Sequence, residues 1–181
     1  ATNDRFPDGL PRLAADIAEN LDRRGGAERL QFRYFTADRS IEGRTLADVA
    51  AEAGEDPIET TIRLLDIGGA GVVSFNMHED DVERLMRQPW IMTASDGDLP
   101  VFGEGVPHPR SYGTFPRKLG HYARDLGVVD VGTAIRSMTH LPAQVYGLTD
   151  RGMIREGMAA DLVVFDLAAI NDPATFTEPH Q

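Results

Sequence analysis

The order in which apolar runs alternate with helical patterns is the feature that most constrains the fold. Residues 30–34 alternate apolar and polar side chains as a strand does, and the apolar runs 71–77 and 90–95 predict two buried strands. Helical patterns separate these runs, in the order strand–helix–helix–strand–helix–strand. Because such connections are crossovers, the order favours an α/β sheet with parallel neighbouring strands. Three strands would leave two exposed sheet edges, so we expect the sheet to be incomplete.

Residues that favour helix ends bound the helical patterns. Gly25 follows the first pattern, and Thr45 with Asp48 has the spacing of a capping box for a short helix that stops at Gly54. Asp56 precedes a proline and favours the start of the next helix. We therefore predict helices over about residues 11–24, 45–53, 57–67, 80–87, 117–126 and 131–139, followed by a turn over 142–146.

Charge and composition exclude several classes of partner. The 181 residues carry a formal net charge of −11, which disfavours binding to nucleic acid or to an anionic membrane. The sequence has no cysteine, so neither a disulfide framework nor a thiolate metal site can form within it. It has no apolar stretch of transmembrane length and no signal peptide, and we expect a cytoplasmic location. Both ends suggest a piece cut from a longer protein.

The second half of the sequence changes character. Residues 98–114 are rich in glycine and proline and predict a long ordered loop, a kind of segment that often serves a functional site. Near the C-terminus, residues 152–154 and 161–165 predict two short strands. We expect these strands to belong to a small sheet packed beside the α/β part.

Asp96 is the first candidate for chemistry, because it stands where the predicted strand 90–95 ends. Gly97 follows it and allows the chain a sharp exit. Ligands and catalytic groups of parallel α/β proteins gather just beyond the carboxyl ends of strands. Asp96 could therefore be a catalytic base or a metal ligand, and the alternative is an aspartate that simply begins a turn.

Three residues of the long loop are candidates for substrate binding. The guanidinium of Arg110 could bind a carboxylate through two parallel hydrogen bonds, or it could form a structural ion pair. His108 is held beside it between prolines. Tyr112 could donate a hydrogen bond to a substrate, or its ring could pack the loop against the protein.

The five histidines contain no His-x-His and no His-Glu-x-x-His pair, so the sequence has no autonomous metal motif. His78 follows a predicted strand, where a ligand could lie, but we favour a role at the start of the next helix. His121 and His140 lie on predicted helices, where a surface or helix-end role is the default.

A series of short segments is more specific in combination than any one of them alone. The segments are residues 41–48, 75–77, Ser95-Asp96-Gly97, His108-Pro109-Arg110, 112–117, 138–143, 147–152 and 160–166. In this order they resemble the second half of the D-aminoacylase (N-acyl-D-amino acid deacylase) family of the amidohydrolase superfamily. The resemblance extends over essentially the whole chain.

The resemblance implies a fold, a cofactor and a role for Asp96. It implies that residues 1–147 are the last part of a (β/α)8 barrel of the TIM type, and that residues 148–181 are a segment of a small β-sandwich domain. Family members depend on zinc, whose main ligands precede the region present here and would lie in the N-terminal half of the same protein. Asp96 matches the aspartate that serves as general acid and base beside the metal, and it is also a possible metal ligand.

The implied activity is metal-dependent hydrolysis of the amide bond of small-molecule N-acyl-D-amino acids, which gives a carboxylate and a free D-amino acid. Two alternatives stay open at this point. One is another amidohydrolase that resembles dihydroorotases or hydantoinases and acts on cyclic amides. The other is a catalytically inactive fragment, if the chain is complete as given, because a lone carboxylate cannot hold zinc.

Overall fold

The computed structural model describes residues 9–181 of the chain. These residues divide into two compact units, and each unit is described by itself. Within the described residues, the first unit comprises residues 9–76 together with Pro100–His108 and Phe176–His180, and the second comprises Met77–Leu99, Pro109–Thr175 and Gln181.

Helices dominate both units. The elements are α1 (Leu10–Arg24), β1 (Leu30–Tyr34), α2 (Leu46–Ala53), α3 (Pro57–Ile67), β2 (Gly71–Ser74), α4 (Glu79–Met86), α5 (Arg110–Arg117), a π-helical segment (Lys118–Asp125), α6 (Val131–Met138) and α7 (His140–Val145). Short 3₁₀ turns lie at Ala27–Arg29 and Arg39–Ile41. No helix within residues 9–181 has both the length and the apolar character needed to cross a membrane.

The predicted helix ends of the first unit are confirmed. Gly25 ends α1 with a left-handed φ of 84° that favours glycine. Thr45 and Asp48 form the complete capping box of α2, in which each side chain accepts a hydrogen bond from the other residue's backbone N–H. Asp56 caps α3 by accepting a hydrogen bond from the N–H of Ile58 at 2.8 Å.

The two strands of the first unit pair antiparallel, and the prediction of parallel neighbours is wrong here. Leu30 lies opposite Ser74, and Phe32 lies opposite Val72. A single helix between two strands brings the chain back to the end at which the first strand began, so the second strand can pair parallel to the first. Two helices, α2 and α3, separate β1 from β2, and the chain enters β2 from the opposite end.

The core of the first unit lies between β1 and the helices α2 and α3. Phe35 is fully buried at its centre. The other buried apolar members of this cluster are Ala27, Phe32, Ile41, Leu46, Val49 and Leu64. Burial of this apolar surface is the main favourable contribution to the stability of the unit.

The predicted strand over residues 90–95 is not a strand among the described residues. Its segment is irregular, and Trp90 exposes 68% of its surface. Thr93 donates its backbone N–H to the carbonyl of Ser137 in α6 at 2.9 Å. The apolar run indicates strand propensity, but a strand also needs a neighbouring strand with which to form a ladder of hydrogen bonds. Helix α6 offers this segment only one backbone acceptor, the carbonyl of Ser137.

The helix predicted to begin near residue 117 begins at Arg110, inside the predicted loop. Pro109 precedes it with φ −54° and ψ −24°, so the proline already has helical geometry when the chain enters α5. Pro116 lies inside α5 and has no N–H to donate. The chain changes to π-helical hydrogen bonding two residues later and continues to Asp125. The predicted α6, with Asp130 as its N-cap, is confirmed.

The predicted strands over residues 152–154 and 161–165 are also wrong for the described structure. No strand is assigned in either segment, and Val163 and Val164 expose 85% and 99% of their surface. The physical reason is again the lack of a pairing strand: β-branched residues favour strands, but the described residues offer no neighbour to these two segments.

The tail of the second unit packs instead on the long helical run. Two glycines make room for it: the carboxylate of Asp172 lies against Gly113, and the carbonyl of Ile170 lies against Gly120. Arg124 then donates Nη1 to the carbonyls of residues 167, 168 and 170 at distances of 2.9, 3.2 and 2.7 Å. One guanidinium thereby satisfies three backbone acceptors that have no strand partner.

We predict that Thr45→Ala destabilises the protein by about 1 kcal/mol, the usual cost of losing a helix N-cap. Hydrogen bonds from Thr45 hold the pKa of Asp48 below its ordinary value. A lowered folded-state pKa stabilises the fold above the ordinary pKa of about 4, and this contribution is lost as the pH falls through the folded-state pKa. The difference between the variant and the native chain should therefore shrink at acid pH.

Urea unfolding at pH 7 and pH 3 measures this effect. Thr36→Ala is the matched control, because Thr36 is an exposed threonine of the same unit outside any helix. Equal free energies of unfolding for the two variants at pH 7 would contradict the role of the cap.

We predict that Gly120→Ala destabilises the protein by about 1–3 kcal/mol through overpacking. A Cβ at this position would lie 2.6 Å from the carbonyl oxygen of Ile170. The clash should outweigh the intrinsic advantage of alanine in a helix, which is roughly 1 kcal/mol. Gly69→Ala is the control, because a Cβ at Gly69 would meet no atom within 4 Å. Thermal unfolding of both variants decides the matter, and equal stability would refute the tight packing of the tail.

Candidate functional site

Asp96 and Arg110, both predicted site residues, meet in an ion pair within the second unit. Nη2 of Arg110 lies 2.9 Å from Oδ2 of Asp96. The Asp96 side chain is 86% exposed and that of Arg110 is 38% exposed, so solvent or a ligand can reach the carboxylate. An ion pair as exposed as this contributes little to stability, at most about 1 kcal/mol. Its position is therefore of more interest for binding and chemistry than for folding.

The backbone at Asp96 adopts an unusual conformation. Asp96 has a φ of +48°, and it is the one non-glycine residue within residues 9–181 with a positive φ. Aspartate tolerates this left-handed region better than most residues, but the conformation is still uncommon. Backbone strain of this kind concentrates at functional sites. The sharp turn of the backbone after residues 90–95, which the sequence predicts at Gly97, is therefore made at Asp96.

Gly97 is required for a different reason, which is close approach. A Cβ on Gly97 would lie 2.9 Å from the Cα of Ser111. Gly97 also donates its N–H to Oγ of Ser95 at 3.2 Å. The backbone after Asp96 is thus held directly against the first turn of α5, which begins at Arg110.

Helix α5 positions two of the predicted residues. Arg110 is its first residue, and Tyr112 follows with its N–H donated to the carbonyl of Pro109 at 2.9 Å. The positive end of the helix dipole therefore lies beside the guanidinium of Arg110. This arrangement concentrates positive charge next to the carboxylate of Asp96 and could attract a second anion. The proposed contact of Tyr112 with a substrate stays a prediction.

His108 belongs to the first unit. Its ring packs edge-on against Phe176, with a centroid distance of 4.9 Å, and Phe176 in turn contacts Phe75 at 4.7 Å. This aromatic packing is one of the contacts of His108. Its predicted role in substrate binding stays a prediction.

The expectations for the other helical histidines hold. His78 is the N-cap of α4, and its Nδ1 accepts a hydrogen bond from the N–H of Asp80 at 3.3 Å. His121 lies in the π-helical segment and His140 begins α7.

Ser111 is a site residue that the sequence did not indicate. Its Oγ is buried beside Gly97 and makes no hydrogen bond within residues 9–181. A hydroxyl can both donate and accept, so this group has a hydrogen-bonding capacity that the described residues do not use. The only signal in the sequence was its position directly after Arg110.

The described residues do not form a zinc site by themselves. Zinc in proteins is held by three or four nitrogen, oxygen or sulfur ligands. Within residues 9–181 no group of three or more histidine, aspartate or glutamate side chains could hold a metal ion. The carboxylate of Asp96 has a guanidinium beside it, which competes with any cation. The metal roles predicted for Asp96 and for ligands outside the chain stay predictions.

Comparison with known proteins shows what the chain is similar to. The chain is 41% identical over 179 residues to a D-aminoacylase of Alcaligenes xylosoxydans xylosoxydans, covering 99% of this chain and 36% of that protein. It is 39% identical over 171 residues to an N-acyl-D-aspartate deacylase of the same organism, covering 94% of this chain and 33% of that protein. The chain thus spans about a third of the length of these curated relatives.

Comparison of the fold with solved structures also finds similarity to deacylases. It is similar to the crystal structure of an N-acyl-D-glutamate deacylase from Bordetella bronchiseptica that contains zinc and a phosphonate mimic of the tetrahedral intermediate. The TM-score is 0.78 and the identity 36%, and the match covers 88% of this chain and 32% of that one. The predicted resemblance to D-aminoacylases is confirmed. Because the amidohydrolase family model also matches residues 4–181, the chain belongs to the amidohydrolase family.

Proposed function

We propose that this chain is the C-terminal portion of a zinc-dependent hydrolase of N-acyl-D-amino acids, which releases a carboxylate and a free D-amino acid. The observation that carries the proposal is the exposed Asp96–Arg110 pair within a chain that is 41% identical to a D-aminoacylase. Relatives named for N-acyl-D-aspartate and N-acyl-D-glutamate support the same substrate class.

Asp96 is the proposed general base and general acid. In amide hydrolysis the oxygen of water forms a bond to the carbonyl carbon, the C–N bond breaks, and the leaving nitrogen takes up a proton. A carboxylate close to both groups can accept the proton from water and return it to the nitrogen. The exposure of Asp96 and its fixed left-handed backbone suit a group that must meet a substrate in one orientation.

Arg110 is the proposed group that binds the substrate carboxylate. Its planar guanidinium can form two parallel hydrogen bonds with a carboxylate, which gives geometric selectivity as well as charge attraction. The 2.9 Å contact with Asp96 uses Nη2. An N-acyl-D-amino acid bound through Arg110 would have its amide near Asp96. Tyr112 and His108 stay proposed as further substrate-binding residues.

The remainder of the proposal concerns residues outside the chain. The main zinc ligands would come from the N-terminal part of the same protein, and the metal would polarise the amide carbonyl and make water more acidic. We also propose that residues 1–147 are the last part of a (β/α)8 barrel and that residues 148–181 belong to a small β-sandwich. A cytoplasmic location stays a prediction.

The experiment that tests the function is turnover by the complete, zinc-loaded protein that contains this chain. N-acetyl derivatives of D- and L-amino acids should be compared with hydantoin and dihydroorotate. We expect hydrolysis of the N-acyl-D-amino acids alone. Turnover of the cyclic amides only would overturn the proposal in favour of the hydantoinase-like alternative, which the named deacylase relatives do not favour.

We predict that Asp96→Asn lowers kcat by about 10²–10⁴-fold, the usual contribution of a general acid–base group. Asparagine keeps the size of the side chain and can adopt the same left-handed backbone, so the fold should be retained. Asp81→Asn is the control, because Asp81 is an exposed carboxylate on α4 of the same unit. Near-native turnover by Asp96→Asn, with circular dichroism unchanged, would refute the catalytic role.

We predict that Arg110→Gln removes the preference for substrates with a free carboxylate. The native protein should hydrolyse an N-acyl-D-amino acid more efficiently than its primary amide, and the variant should treat the two alike. Loss of a charge-assisted contact corresponds to about tenfold or more in kcat/KM for the acid. The value of kcat/KM should be measured for both substrates with the native protein and with the variant. An unchanged preference for the acid in the variant would rule out Arg110 as the group that binds the substrate carboxylate.

A further inference from the structure

Lys118 is an unusual residue in this chain. It is the only lysine among the 18 lysine and arginine residues of the sequence. It begins the π-helical segment and exposes only 4% of its surface. Lysine is among the residue types that are least often buried, and a buried lysine normally has a charged partner. The surroundings of its ammonium group therefore need an explanation.

The hydrogen-bond partner recorded for the ammonium of Lys118 is neutral. Nζ donates to Oγ1 of Thr93 at 2.6 Å. Thr93 in turn contacts Oγ of Ser137 at 3.1 Å, and Ser137 donates to the carbonyl of Ala134 at 2.7 Å. The ammonium has three donors, and no ion pair with an acidic residue is formed by Lys118 among the described residues. The positive charge is buried without a counter-charge.

Lys118 and Thr93 both line one cavity of the second unit, with a volume of about 420 Å³. This size is typical of sites for small organic molecules. The rest of the wall is mainly apolar and unusually rich in flexible thioether side chains, which adapt to ligands of different shape. The apolar residues that characterise it are Met77, Val82, Met86, Ile91 and Met92.

The other polar groups of the wall do not neutralise Lys118. Tyr122 donates its hydroxyl to Glu79 at 2.7 Å, and Arg117 lies over the Tyr122 ring at 5.4 Å from its centroid. Glu79 therefore accepts a hydrogen bond from a neutral donor. The wall contains two cations, Arg117 and Lys118, so an anion is the ligand charge that it complements.

A purely structural role explains this arrangement poorly. Burial lowers the pKa of the Lys118 ammonium because the charged form loses its hydration. A methionine would fill the same volume without that cost, as it does at three other positions of the same wall. Retaining an ammonium at an apolar wall is favourable when an anion completes its hydrogen bonds.

We propose that this cavity binds a small carboxylic acid with an apolar chain, whose carboxylate pairs with Lys118 and whose chain lies along the methionine wall. The site uses neither Asp96 nor Arg110, and it is independent of the proposed hydrolysis. The carboxylate accepts hydrogen bonds from the free donors of the ammonium, and the chain displaces water from the apolar wall.

The first test uses the complete protein that contains this chain, with octanoate as the probe. Selective ¹³C,¹⁵N-lysine labelling gives one ε-methylene signal for each lysine in an NMR spectrum, and the signal that is lost in Lys118→Met belongs to Lys118. We expect this signal to shift and to saturate as octanoate is added. Absence of binding at millimolar octanoate, or binding that leaves the Lys118 signal unchanged, would overturn the proposal.

The second test uses calorimetry to separate the contribution of the ligand's carboxylate from that of its alkyl chain. Lys118→Met should weaken octanoate binding by about tenfold or more, the value of one charge-assisted hydrogen bond. Arg84→Gln is the matched control, since it removes one positive charge from an exposed position of α4 outside the cavity. Its Kd should stay within about twofold of the native value, because exposed charges at a distance are screened.

Two further ligands complete the design. 1-Octanol has the alkyl chain of octanoate without the charge, and acetate has the charge without the long alkyl chain. Both should bind the native protein more weakly than octanoate, and 1-octanol should bind Lys118→Met and the native protein alike. Equal affinity of octanoate for Lys118→Met and the native protein, or equal affinity of octanol and octanoate for the native protein, would refute the carboxylate site.

Discussion

The second unit depends on the unbroken helical run from Arg110 to Asp125. This run presents the guanidinium of Arg110 at its start, Lys118 to a cavity in its middle, and Arg124 to the tail near its end. Because helical geometry fixes the direction of every side chain, one element orients three cations towards three different surroundings. The change to π-helical hydrogen bonding after Pro116 keeps the run continuous where a proline would otherwise interrupt it.

The helix ends could be predicted from the sequence because they depend on local chemistry. Thr45 finds its partner three residues away, and Gly25 needs only its own freedom to adopt a positive φ. The strands could be predicted only in part. The segments 90–95 and 161–165 have suitable side chains, but a strand exists only where a second strand supplies hydrogen bonds, and no sequence pattern within a segment specifies that neighbour.

The candidate site shows the same distinction. Asp96 was found from its position after an apolar run and from the resemblance to a family, and Arg110 from the prolines that fix the loop around it. Their contact across fourteen positions is a tertiary feature, as is the burial of Ser111. Lys118 gave no local signal at all, because its neighbours in sequence do not reveal that Thr93 and a methionine wall enclose it.

Gly97 has a consequence for how the site tolerates change. Its backbone rests on that of Ser111, so the two ends of the intervening segment are held together by main-chain contact and not by the residues between them. A Cβ at position 97 would lie 2.9 Å from the Cα of Ser111, so any side chain there would push the backbone of Asp96 away from the first turn of α5. The carboxylate and the guanidinium would then separate, although neither group belongs to the substituted residue. The geometry of the pair is thus set by a residue that has no side chain.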